Sequence, residues 1–147
     1  MSVLKVLTIP DKLLRTKCEP VKVINDDIHL LILDMIETMY AKGGIGLAAP
    51  QVGVLKQIII VCPSRVKGEE TILINPEIIK KTGHSMRAEG CLSIPGLTKQ
   101  VRRSEEITVK YKTPGNMDRI IEAEGWLARV IQHEIDHLKG ILFIDRK

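Results

Sequence analysis

His133-Glu134-Ile135-Asp136-His137 is the stretch with the clearest chemical signal. Histidines at i and i+4 of a helix share one face and can hold a single metal ion. A glutamate beside the first histidine can reach a water activated by that ion and act as general base. The chemistry such a group performs is metal-assisted hydrolysis. Five-residue matches arise by chance, and the alternative is a pair of polar residues on a solvated helix face. The surrounding residues argue against that alternative. Leu127, Ile131, Ile135 and Leu138 form one apolar stripe, and Trp126, Val130, His133 and His137 a second. A helix apolar on two sides is largely buried. Histidines and a glutamate buried without partners are costly, and a metal ion would satisfy them.

A catalytic metal usually has three protein ligands and one open position. Only ten residues follow His137, with Asp145 the single carboxylate among them and Phe143 where a downstream histidine ligand would stand. The third ligand is therefore sought upstream, and Cys91 is the candidate. It lies in Glu89-Gly90-Cys91-Leu92-Ser93, just before the turn-rich Ile94-Pro95-Gly96. A thiolate is a strong ligand for soft or borderline ions. Cys62 ends an apolar run and reads as a buried small hydrophobe. Cys18 reads as part of a polar loop without partners. His29 and His84 read as helix-face and loop histidines. Three cysteines, an odd number, give no disulfide framework in a reducing compartment.

The third informative segment is Gly44-Ile45-Gly46-Leu47-Ala48-Ala49-Pro50-Gln51. Its small residues let backbone lie close to a bound molecule, and Gln51 offers an amide donor. The glycine spacing fits neither the dinucleotide fingerprint nor the P-loop. A helix C-cap followed by a turn is an equal reading of the same residues.

These residues need elements to hold them. Asn25 caps a predicted helix running to about Lys42, with Ile28, Leu31, Ile32, Met35, Ile36 and Met39 at helical spacing and Gly43-Gly44 at its end. Residues 11–17 predict one or two helical turns. Strands are predicted over 57–62, 71–75, 77–82, 97–103, 106–112 and 119–123, broken by Pro63, Gly68, Pro76 and Gly83. Pro114-Gly115-Asn116 is a turn between the last two. A second helix is predicted from about Gly125 to Leu138, with Gly140 as terminator. Helix, then strands, then helix predicts an α+β fold of mostly antiparallel sheets.

The 147 residues fit one domain with one core. Aromatics are 3% of the chain, so the core is read as Ile, Leu, Val and Met. The net charge of +4 is spread over scattered Lys and Arg, with short pairs such as Arg102-Arg103. No basic run or interleaved aromatics mark a nucleic-acid surface. No stretch reads as a membrane span. Lys5 interrupts the N-terminal apolar stretch, which does not read as a secretion signal. The expected compartment is the cytoplasm.

Taken together, segments 44–51, 89–93 and 132–140 resemble the three signature motifs of the peptide deformylases, in order and at similar spacing. The resemblance spans nearly the whole chain, residues 1–147, as a single catalytic domain. It implies an α+β fold with mostly antiparallel sheets packed around a central C-terminal helix that carries His133 and His137. It implies hydrolysis of the N-terminal formyl group of formyl-methionyl polypeptides, with release of formate. The implied metal ligands are Cys91, His133 and His137, and the implied general base is Glu134. The Gln51 side chain and the Leu92 backbone N–H are implied as oxyanion donors. One divalent ion is implied, Fe(2+) in the cell, replaced by Zn(2+), Ni(2+) or Co(2+) in preparations. Ile45, Trp126, Arg129 and Val130 are the candidates for the methionine pocket, with Gly44, Gly46 and Glu89 also assigned to the substrate. Many family members continue into a C-terminal helical extension, whereas this sequence ends at Asp145-Arg146-Lys147. A monomer, with transient ribosome association, is the expected state. The rivals are a zinc peptidase that cleaves internal bonds, which would need a downstream ligand, and a non-catalytic metal or RNA-associated module, which would have no need of Glu134 or Gln51.

Overall fold

The computed structural model of the chain describes residues 2–146. A short 3-10 turn, Lys12–Arg15, precedes helix α1, Asp26–Ala41. Strands β1 (Gly46–Ala48), β2 (Ile58–Val61) and β3 (Thr71–Thr82) follow. Next come β4 (Ser85–Cys91), β5 (Ile94–Arg103), β6 (Glu106–Lys112) and β7 (Asp118–Glu124). Helix α2 spans Gly125–Leu138, and a 3-10 turn at Phe143–Asp145 closes the described chain. Five strands form one sheet in the order β1-β2-β3-β6-β7, and β4 pairs with β5 in a second. Every strand pairing is antiparallel, so the architecture is the expected α+β fold.

Local chemistry explains the helix ends. The Asn25 side chain accepts a hydrogen bond from the Ile28 N–H, and Asp26 and Asp27 occupy the positive first turn of α1. Gly43 leaves the helix at φ +70°, and Gly140 ends the turn after α2 at φ +74°.

The five-stranded sheet is covered on both faces. Ile58, Ile60 and Ile74 pack with Ile28, Ile32, Met35 and Met39 of α1. Ile59, Val61, Leu73, Ile107 and Val109 pack with Ala128, Val130, Ile131, Ile135 and Leu138 of α2. A strand buried on both faces reads as a continuous apolar run, as Ile58-Ile59-Ile60-Val61 does. The far side of α2 meets the β4–β5 hairpin. There Ile94 and Val101 pack with Leu14, Leu142 and Phe143.

Four expectations need correction. The strands predicted over 71–75 and 77–82 are one strand, β3. Pro76 falls at a register shift between Ile74 and Glu77, where its missing N–H breaks no ladder bond. The strand predicted from Leu97 begins at Ile94, and β4 lies before it; Ser85 to Gly90 lack the apolar alternation that would have announced a strand. Cys18 is buried rather than in an open polar loop, and its N–H donates to the Leu138 carbonyl. Trp126, placed on a buried stripe, is half exposed, with the Arg87 guanidinium 5.6 Å from its ring centre.

Asn75 sits at the β3 irregularity with φ 53°. Its side chain accepts from the Val21 N–H at 2.7 Å and donates to the Val21 carbonyl at 2.9 Å. Left-handed backbone suits Asn and Gly but strains other residues. Asn75→Ala should therefore destabilise by about 2–3 kcal/mol, from two lost hydrogen bonds and the strained backbone. Asn75→Gly should lose less, because it keeps the backbone angle. Urea unfolding distinguishes the two, and equal stability of the variants would contradict this account.

Candidate active site

Three elements converge on one cleft. Helix α2 brings His133 and His137 to one face, their ring centroids 5.1 Å apart. The end of β4 brings Cys91, whose Sγ lies 3.3 Å from His137 Nε2. One ligand atom from each of Cys91, His133 and His137 lies within 4.8 Å of the others. The third element is β1 with the turn after it, which carries Gln51.

Of the two histidines, His133 is oriented from behind, whereas His137 Nδ1 has no hydrogen-bond partner among the described residues. His133 Nδ1 is 2.8 Å from Glu89 Oε1, which leaves Nε2 for a ligand. Glu89 also accepts from Arg103 Nε and Nη2, both at 2.9 Å, and from Arg129 Nη1 at 2.6 Å. Burial disfavours the Glu89 carboxylate, but Arg103 and His133 outweigh it and bring the group down to about 2. Arg103 Nη1 reaches on to Asp136 Oδ2 at 2.6 Å. Phe143 lies nearly parallel to the His133 ring, 5.9 Å between centroids.

Glu134 is buried, and its Oε1 has no hydrogen-bond partner. Burial pushes the carboxyl up to about 7, against the pull of the neighbouring His133. Gly46 is the residue that admits it: a Cβ there would stand 2.6 Å from Glu134 Oε2 and 2.9 Å from Val130 Cγ1. Burial holds His137 well below its ordinary value, so its ring is neutral and able to ligate. Burial opposes a charged His133 too, but Cys91 and Glu89 raise it to about 10. A cation between the thiol and both rings would displace that proton.

Gln51 is fixed on both sides. Its Oε1 accepts from the Ala48 N–H at 2.9 Å, which turns Nε2 toward Ser93 Oγ at 3.1 Å and Cys91 Sγ at 3.5 Å. Leu92 and Ser93 form the two-residue turn between β4 and β5. The cleft, of about 550 Å³, is lined by every candidate substrate residue: Gly44, Ile45, Gly46, Glu89, Trp126, Arg129 and Val130. Two of these are otherwise engaged. The Glu89 carboxylate is occupied by Arg103, Arg129 and His133. Arg129 is 3% exposed and bonded to Glu89, the Val101 carbonyl and Ser85. Both form a wall of the cleft rather than free recognition groups. Asp145, the lone downstream carboxylate, pairs with Arg15 and caps the Leu142 N–H, away from the metal group.

The residues present fit a divalent cation. They comprise a thiolate and two imidazoles, one ring nitrogen of each histidine placed toward the group, and an orphaned buried carboxylate oxygen beside them. Sequence reasoning missed the groups behind them, namely Arg103, Asp136, Arg146 and Ser93. Asp136 was visible at i+3 from His133, but nothing in the sequence pointed its partner Arg103 inward.

Residues 3–147 match the family model described as polypeptide deformylase. The chain belongs to the polypeptide deformylase family. It is 50% identical to Peptide deformylase 1 of Clostridium perfringens over 137 residues, 93% of this chain and 92% of that one. It is 51% identical to the peptide deformylase of Halothermothrix orenii over 146 residues, 99% of this chain and 94% of that protein. The crystal structure of a Legionella pneumophila peptide deformylase superposes with a TM-score of 0.97 at 40% identity, covering 99% of this chain and 86% of that one. A Synechococcus elongatus peptide deformylase solved in complex with actinonin superposes at 0.93 and 42% identity, covering 99% of this chain and 79% of that one. Family membership and the Cys-His-His group together make this chain a metal-dependent hydrolase of the deformylase class.

The Arg103 side chain is 3% exposed and bridges two buried carboxylates. Arg103→Met would strand Glu89 and Asp136 without their shared cation. The expected loss is about 3–5 kcal/mol, the usual result of removing one partner from a buried ion pair. Chemical denaturation measures it, and a loss below about 1 kcal/mol would show that the bridge is dispensable.

Proposed function

We propose that this chain removes the formyl group from N-formylmethionyl polypeptides at the Cys91, His133 and His137 centre, releasing formate and a free N-terminal amine. The observation that carries the reading is that Glu134 and Gln51, a proton acceptor with an unpartnered oxygen and an amide donor, line the same cleft as Cys91 and His133. A divalent ion held by the triad would supply Lewis acidity and make a water acidic enough to lose its proton near neutral pH.

The protein's own residues do the rest. Glu134 takes the proton of the attacking water on its unpartnered Oε1 and passes it to the leaving amine nitrogen. As the formyl carbonyl oxygen gains charge, Gln51 Nε2 and the Leu92 backbone N–H donate to it. The Ala48 N–H holds the Gln51 oxygen, which leaves Nε2 as the end that faces the cleft. Glu89 keeps the His133 ring oriented by accepting from Nδ1. Ile45, Val130 and the Trp126 ring offer apolar surface for the methionine side chain. Gly44 and Gly46 line the same cleft and contribute backbone to the substrate site.

Residues 1–147 act here as one catalytic domain. The resident ion is ferrous iron, with zinc, nickel or cobalt able to replace it, as suits a thiolate with two imidazoles. The protein works as a cytoplasmic monomer on new polypeptides, with at most transient ribosome association. No helix among the described residues is long and apolar enough to cross a membrane. A peptidase reading is not favoured, because the third ligand sits upstream at Cys91 and Asp145 is engaged elsewhere.

Formate release from formyl-Met-Ala-Ser by iron- or nickel-loaded protein tests the assignment. Turnover should be abolished by a chelator and restored by the metal. Glu134→Ala should keep its metal and lose about 10²–10⁴-fold in kcat; full turnover in a metal-loaded variant would remove Glu134 from the mechanism. Gly46→Ala should lower kcat, because its Cβ displaces the Glu134 carboxylate, and should also cost about 1–3 kcal/mol of stability, because that Cβ stands 2.9 Å from Cγ1 of the buried Val130. Unchanged kcat would show that Glu134 has another position from which to act.

A further inference from the structure

The C-terminal arginine of the described chain stands at the end of an unbroken run of charge-assisted bonds that leads to a metal ligand. Arg146 Nε and Nη2 grip Asp136 Oδ2 and Oδ1 at 3.0 and 2.6 Å. Asp136 Oδ2 also accepts from Arg103 Nη1 at 2.6 Å. The other two nitrogens of Arg103 hold both oxygens of Glu89 at 2.9 Å. Glu89 Oε1 in turn meets His133 Nδ1 at 2.8 Å. Between the half-exposed Arg146 and the His133 ring, every member is buried: Asp136, Arg103 and Glu89.

Arg103 is therefore shared by two buried carboxylates. One, Glu89, orients a ligand; the other, Asp136, lies on α2 between the two ligand histidines. Arg146 is the only other cation on Asp136 among the described residues, and it is the sole bonding partner of Oδ1. If Arg146 is lost, Asp136 has Arg103 alone to neutralise it. A stronger pull on Arg103 toward Asp136 weakens its fork on Glu89, and Glu89 then holds the His133 ring less firmly. In a low-dielectric interior these charges interact strongly, so a change at one end reaches the other.

We propose that Arg146 is a positioning residue for the metal centre: by neutralising Asp136 it frees the Arg103 fork to clamp Glu89 onto His133. The inference rests on the assignment of His133 as a ligand and goes beyond it. Arg146 touches neither the cleft nor the three ligands. Its segment is also anchored independently of the Asp136 contact. Lys99 Nζ donates to the Ile144 and Arg146 carbonyls, Asp145 pairs with Arg15, and Phe143 is buried. Removing the Arg146 side chain should therefore leave the terminal turn in place.

The test uses cobalt(II)-loaded protein and follows transfer of the ion to an excess of chelator by visible absorbance. Arg146→Met should speed metal loss about 3- to 10-fold, less than the roughly 10–100-fold cost of changing a direct partner of a ligand, because Arg146 acts through Asp136, Arg103 and Glu89. Arg146→Lys, which keeps the charge but not the fork, should recover part of the difference. In an Asp136→Asn background, Arg146→Met should have no further effect, since the charge it neutralises is gone. Thermal unfolding of the metal-free variants reads the structural alternative. A lower Tm with unchanged cobalt retention would overturn the proposal, as would effects of the two substitutions that simply multiply. Formate release separates the outcomes: if cobalt is held as predicted but no formate appears, the functional reading fails while the positioning role stands. A variant too unstable to load is replaced by Arg146→Lys, for which wild-type cobalt retention together with wild-type retention in Arg146→Gln would equally sink the idea.

Discussion

The site depends on the ionised carboxylate of Glu89, held inside the protein by Arg103, Arg129 and His133. A buried charge is tolerated only when paired and bonded on all sides. The three partners come from two elements: Arg103 from the end of β5, and Arg129 and His133 from successive turns of α2. Satisfying this one carboxylate thus fixes the β4–β5 hairpin against the helix. It is that docking which brings Cys91, two residues along the same strand as Glu89, to the histidines. The ion pairs contribute little net stability against well-packed apolar groups. What they specify is the relative placement of strand and helix, which the ligand group requires.

The sheet supplies the opposite wall. β2 is buried on both faces, and its neighbour β1 is held against α2 by antiparallel pairing with β2 together with apolar packing. Leu47 points toward the α1 layer and Ala48 toward the α2 layer. The absence of a side chain at Gly46 leaves the space that Glu134 fills. Gln51, fixed by the Ala48 N–H, closes the group from the β1 side. A small-residue strand and a charged hairpin therefore clamp one helix from two sides. The cleft is the gap between them.

Much of this was legible beforehand. The two helices and the terminal strands β6 and β7 followed from periodicity and turn residues, and the Cys-His-His group was singled out by residue type and by resemblance to the family. Strand β4 did not, because Ser85-Met86-Arg87-Ala88 faces solvent along most of its length and carries little alternation. Arg103 and Arg129 were equally opaque. An arginine beside another arginine reads as surface charge, and one next to Val130 reads as a pocket or rim residue. Their burial is decided by a carboxylate distant in sequence. Trp126 erred the other way: helical spacing put it on the inner side, but it lies in the first turn of α2, where the helix emerges from cover.

The sequence by itself determined which atoms could ligate, donate and take protons, because those abilities belong to residue types and to i, i+4 geometry that any helix enforces. It also determined that the middle of the chain is sheet and its ends helical, because apolar periodicity is local. Only the tertiary structure decided that Cys91 meets His133 and His137, that Glu89 meets His133 rather than solvent, and that Arg146 reaches back to Asp136. Those outcomes depend on pairings between residues far apart in the chain. They are set by where buried charges find partners, and no local pattern records that.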